Sequence, residues 1–192
     1  AVELMNVGAN FLREHMIPEA RVHYAITDAG GSAPNVVQPH AEVLYLIRAP
    51  HSDQVRHIYE RVNNIAHGAA LMTGTKTEHT WIKACSEIVL NNTLEQLMYE
   101  KMLQIGSPEI IQQDISFARE LTQKALLSTP AADPAHPIHA EIKPFHWGEV
   151  TPNFGSTDVG DVGYATPTVM FHVATACLGN VGHSWQNTAF AC

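Results

Sequence analysis

The chain has 192 residues, 45% hydrophobic and 16% charged, with a formal net charge of -8 and a pI near 5.8, enough for one sizeable domain or two small ones. The acidic balance argues against a phosphate-backbone partner, which requires clustered Lys and Arg, so no nucleic acid is expected. No apolar run approaches the roughly 18 residues of a membrane span and no stretch reads as a secretory signal, so no membrane partner and a soluble, cytoplasmic protein are expected.

The opening run AVELMNVGANFLREHM already has helical spacing in Val2, Met5, Ala9 and Leu12, and it lacks an initiator Met. Together with an end at NTAFAC, just where a helix is expected to begin after the polar turn GNVGHSWQ, this suggests a chain cut from a longer one. Pro18 stops the first pattern, and Arg21 to Thr27 alternates as a strand with Val22, Tyr24 and Ile26 on one face. The turn Asp28-Ala29-Gly30-Gly31-Ser32 ends it. A second extended run, Ala41 to Arg48, puts Val43, Tyr45 and Ile47 on one face and Leu44 and Leu46 on the other, which predicts a central strand covered on both sides.

Residues 51 to 67 carry the stripe Val55, Ile58, Tyr59, Val62, Ile65 and Ala66 of an amphipathic helix, expected to end at Gly68. Leu71 to Trp81, with Thr73, Thr75 and Thr77, suits another strand. Asn92 with Glu95 predicts a capped helix carrying Leu94, Leu97, Met98, Met102 and Ile105. Ser107-Pro108 is expected to open a further helix, running to about Leu127. Ser128 to Pro152, with five Pro, reads as a long loop, and Thr168 to Ala174 as an apolar strand. Cys85, Cys177 and Cys192 are too widely spaced for a disulfide framework or a metal knuckle.

The chemistry concentrates in Gly155-Ser156-Thr157-Asp158-Val159-Gly160-Asp161 and in Gly179-Asn180-Val181-Gly182-His183-Ser184. Glycines let a backbone turn closely around a ligand, Asp orients a His or binds a cation, and a neutral imidazole is a common zinc or manganese ligand. Asp and Ser in a Gly loop also serve as turn and cap formers, and the residues alone leave both readings open.

HYAITDAGGSAPNVVQPHAEVLYLIRAP, together with GSTDVGDVG and GNVGHSW, resembles the lid segment and the C-terminal site segment of the aminoacylase/carboxypeptidase-type dinuclear metal amidohydrolases. The resemblance covers nearly the whole chain. It implies an α/β class protein: an α+β lid or dimerisation sandwich over residues 1–80, incomplete at its N-terminus, and the C-terminal part of a metallohydrolase catalytic domain over 81–192. It further implies that His183 is the single C-terminal ligand of a two-metal centre (Mn or Zn). Ser156, Asp158 and Asp161 would support loop and ligand geometry, while Asn35 and Arg48 would reach a substrate carboxylate or the scissile carbonyl. Thr157 departs from the Glu that many family members carry there.

Other family features have no counterpart. The chain has no Glu-Glu pair to supply a general base, and its only His-x-Asp, His51-Ser52-Asp53, sits where a helix N-cap belongs rather than in a metal motif. The resemblance implies cleavage of the amide in an N-acyl or N-aroyl glutamate or aspartate, by a larger protein of which this chain is a C-terminal part, and the missing features imply that it is inactive alone. The family implies a homodimer through the lid or a heteromer with a related subunit. Two rivals remain: a non-catalytic α+β assembly module, and a self-sufficient one-metal hydrolase on Asp158, Asp161 and His183.

Overall fold

The computed structural model describes residues 1–126, 133–146 and 155–190. In chain order its elements are α1 (Val2–Leu12), β1 (Arg21–Asp28), β2 (Glu42–Arg48), α2 (Ser52–Thr73), α3 (Asn92–Ile105), α4 (Gln112–Leu121), α5 (Val159–Ala165) and α6 (Trp185–Phe190). Helices with a small antiparallel sheet make this an α+β architecture. Two units divide the chain: Ala1–Val89 with Gly155–Ala165, and Leu90–Phe154 with Thr166–Cys192. No described helix is long and apolar enough to cross a membrane.

In the first unit, β1 and β2 pair antiparallel, with Tyr24 opposite Tyr45 and Arg21 opposite Arg48. Leu12, Ala20, Val22, Ile58 and Val62 form the buried core, with Met5, Tyr45, Ile47 and Ile65 packed against it. The helical spacing of α1 thus meets the two-residue alternation of the strands and the stripe of α2 in one apolar layer, where burial of each large aliphatic side chain contributes roughly 1.5–3 kcal/mol. Two features fix the layer's geometry. A Cβ at Gly8 would lie 2.6 Å from Ile65 Cγ2, so only glycine lets α1 and α2 approach this closely. The Tyr45 hydroxyl donates to Asn6 Oδ1 at 2.7 Å, satisfying a polar residue that is only 6% exposed.

Several local expectations are corrected. β2 is not central: the sheet has two strands among the described residues, and Leu44 and Leu46 are 45% and 56% exposed. α2 runs through Gly68 to Thr73. The left-handed residue that ends it is Gly74, at φ 63°, with the Thr75 amide donating to Ala70 O at 2.9 Å and the Gly74 amide to Leu71 O at 3.4 Å, the Schellman pattern.

The expected strand over 71–81 does not form. Its first residues finish α2, where the Thr73 hydroxyl bonds back to Ala69 O at 2.9 Å. The rest finds side-chain partners on that helix: His79 Nδ1 lies 2.8 Å from Asn63 Oδ1, and Trp81 meets Tyr59 edge-on at 5.0 Å. Farther along, Glu87 accepts from the Ser52 amide at 3.2 Å and from the Ser52 hydroxyl, which closes the start of α2.

In the second unit, α3 is capped by Asn91, one residue before the expected position, whose side chain accepts from the Leu94 amide at 3.1 Å. α4 starts at Gln112 rather than at Pro108, because Asp114 Oδ2 takes the Ile111 amide at 3.0 Å and sets the first turn there. α4 itself stops at Leu121 and a π-turn continues over Thr122–Leu126. Ala118 and Cys177 form a small core with Ile138 and Phe190 against it, and Phe117 meets Phe190 edge-on at 5.3 Å. Residues 168–174 are irregular: a strand needs a ladder partner for its N–H and C=O groups, and both described strands belong to the other unit. Much of the expected loop 128–152, and Leu127, lie outside the described residues.

Candidate functional site

Each residue singled out in the sequence can be placed. Asn35 is exposed in a turn closed by the Val36 amide on Ala33 O at 3.3 Å. That loop is necked where it leaves β1. The Gly30 amide bonds Asp28 Oδ1 at 2.7 Å, and at φ 83° a Cβ on Gly30 would lie 2.2 Å from His40 O, so glycine is required. Arg48 is half-buried and pairs with Arg21 at the other end of the hairpin. Arg48 ends the seven-residue β2, so about 20 Å of strand separates it from the neck beyond which Asn35 sits.

The segment from Gly155 is anchored within the first unit. The Val159 amide donates to Thr157 Oγ1 at 3.3 Å and the Asp161 amide to Asp158 O at 3.1 Å, the start of α5. Asp161 Oδ1 accepts the Ser86 amide at 3.0 Å. Gly160 lies against the same strip: a Cβ there would come within 2.1 Å of Ser86 O and 2.7 Å of Glu87 O. Asp161 thus orders residues 86 and 87, and Glu87 in turn holds the start of α2. The Ser52 hydroxyl beside it keeps the Glu87 carboxyl below the usual carboxylate range. Glu87 carries no motif, and its role is invisible locally because its partner lies 35 residues away. Ser156 is exposed in the same segment.

His183 belongs to the second unit. It is exposed and is the non-glycine residue with positive φ, 60°, among the described residues. Ser184, rather than His183, caps α6: its hydroxyl accepts the Asn187 amide at 3.3 Å and donates to Val181 O at 2.5 Å. The imidazole has no part in that cap. On the same turn, Asn180 Nδ2 donates to Asn187 Oδ1 at 2.7 Å, while Asn180 Oδ1 is buried without a partner. Cys177, below the turn, is 4% exposed, and burial pushes its thiol pKa up.

No group of three or more His, Cys, Asp or Glu able to hold a metal occurs among the described residues. An exposed imidazole on the same turn as a buried, unpartnered amide oxygen fits one ligand of a shared centre and does not fit a complete one.

Over 208 aligned positions covering 97% of the chain, 42% of residues are identical to one of the subunits of p-aminobenzoyl-glutamate hydrolase from Escherichia coli (strain K12). The chain is a relative of that hydrolase subunit. A more distant relative is the Xaa-Arg dipeptidase of Mus musculus, 25% identical over 194 positions and 100% of the chain. Both relatives are hydrolases by name, so the resemblance to an amidohydrolase and peptidase family holds. No protein-family model matches. The chain spans 42% of the length of the p-aminobenzoyl-glutamate hydrolase polypeptide and 36% of that of the dipeptidase.

Proposed function

We propose that this chain is the C-terminal part of a metal-dependent amidohydrolase that cleaves the amide of an N-acyl or N-aroyl amino acid such as p-aminobenzoyl-glutamate, and that it is inactive alone. The observation that carries the reading is the 42% identity to the hydrolase polypeptide across 97% of the chain. In this reading residues 1–80 are the lid and dimerisation part, and residues 81–192 belong to the catalytic part.

His183 would hold one of two divalent ions, Mn or Zn, with the remaining ligands and the general base supplied from outside these 192 residues. When bound, such a pair polarises the scissile carbonyl and lowers the pKa of water. The chain's own residues bind and orient. Asp161 and Glu87 hold the segment around residues 86 and 87, Ser156 and Asp158 shape the loop leading into α5, and the Arg48 guanidinium offers a planar fork to a substrate carboxylate. Asn35 offers a hydrogen bond to the acyl carbonyl.

Hydrolysis of p-aminobenzoyl-glutamate by the purified chain with added Mn or Zn tests this reading. No turnover is expected; turnover lost in His183→Ala would mean that a complete site exists within the chain. A second reading, a non-catalytic assembly module, draws on the outer hairpin face, where Leu44 and Leu46 are 45% and 56% exposed. A homodimer or a heteromer with a related subunit would cover that face. Self-association abolished by Leu46→Lys, without any effect of metal, would favour it.

A further inference from the structure

The turn that carries His183 holds a polar atom with nothing to bond. Asn180 Oδ1 is buried and unpartnered, a condition that disfavours the turn unless a donor arrives. Nor is the amide free to swing out to water. Its Nδ2 is tied to Asn187 Oδ1 at 2.7 Å, the Asn187 amide is tied to Ser184 Oγ at 3.3 Å, and Ser184 Oγ is tied to Val181 O at 2.5 Å. These bonds fix the direction of the oxygen on the turn that carries His183.

His183, three residues on in the same turn, has its backbone held in the left-handed region at φ 60° and its ring outside the Ser184 cap. An imidazole that gives one nitrogen to a metal keeps one N–H on the other, and that N–H needs an acceptor to fix tautomer and ring angle. The turn contains an acceptor lacking a donor and a ring that, once bound, has a donor to place. The geometry points to Asn180 as the positioning residue of His183: its Oδ1 accepts the remaining imidazole N–H when the other ring nitrogen binds a divalent metal. This rests on the reading of His183 as a ligand.

The test uses the 192-residue chain and Zn2+ alone, with two readouts: the ring-nitrogen NMR shifts of His183, and the Zn2+ dissociation constant from competition dialysis. In the wild type, Zn2+ is expected to lock the ring in one tautomer with a slowly exchanging N–H. Asn180→Leu, which removes the oxygen, loses that N–H signal and weakens Zn2+ about 10-fold or more, the usual scale for an outer partner of a metal-bound His. Asn180→Asp keeps the oxygen and, with the Asn187 amide turned so that its Nδ2–H donates to the carboxylate, keeps the anchor, so it remains within about threefold of the wild type, a rescue that a merely structural role would not give.

If Asn180→Leu unfolds the turn, Asn187→Ala, which frees the amide while leaving Oδ1 in place, is expected to weaken Zn2+ in the same direction. Wild-type ring shifts that respond to Zn2+ while all three variants match the wild type would overturn the role of Asn180 and leave the ligand reading standing. A wild-type His183 ring unmoved by Zn2+ overturns both.

Discussion

Replacing His183 by Gly and, separately, by Ala separates a residue kept for its side chain from one kept for its backbone. At φ 60° a residue with a Cβ carries about 1–2 kcal/mol that Gly does not. Gly gives back about 0.4–1 kcal/mol through the entropy of its unfolded chain. The His183 ring is exposed, so its loss removes little packing. His183→Gly should therefore be more stable than the wild type by roughly 0–1.5 kcal/mol, and more stable than His183→Ala by about 1 kcal/mol, or ~2–4 °C in Tm for a chain of this size. Thermal melts of the three proteins without metal read this directly. If His183→Ala melts at or above His183→Gly, the turn is not strained at His183 and backbone strain gives no reason to assign its side chain a ligand role.

Gly160→Ala should cost about 1–3 kcal/mol, since its Cβ would overlap Ser86 O at 2.1 Å; hydrogen exchange should show faster amides at residues 85–89 and 155–165, and unchanged rates would remove the close approach. Tyr45→Phe leaves Asn6 Oδ1 buried without its donor and should cost about 1–3 kcal/mol in denaturant unfolding. Burial raises the Tyr45 phenol to about 12 while its unfolded counterpart ionises near 10, so its contribution is full below pH 10 and is lost as pH rises toward about 12; Tyr45→Phe should flatten that part of the alkaline stability loss. In a Cys192→Ser background a thiol reagent should modify exposed Cys85 at once and buried Cys177 only on unfolding; equal rates would contradict the small core around Ala118.

The sequence made the first helix, both strands and the stripe of α2 legible because each rests on a period that short-range geometry imposes and one core then rewards. The end of α2 was not legible at Gly68, because a glycine tolerates a helix interior at about 1 kcal/mol and the αL conformation that stops the helix belongs to Gly74. The Thr-rich run after it has strand propensity, yet its partners are α2 side chains such as Asn63, 16 residues from His79, and propensity yields to such contacts. At the site, motif resemblance singled out His183, Asp158 and Asp161. It gave no sign of the bond from the Ser86 amide to Asp161 or of the buried Asn180 oxygen, since both depend on neighbours that only the folded chain brings near.

In the proposed reading this chain contributes one ligand, His183, to a metal centre completed by residues outside it. Equilibrium dialysis of the purified chain against Zn2+ and Mn2+, beside His183→Ala, measures it most directly. At most one weakly held ion per chain is expected, lost in the variant. Two tightly held ions per chain, or binding indifferent to His183, would contradict it.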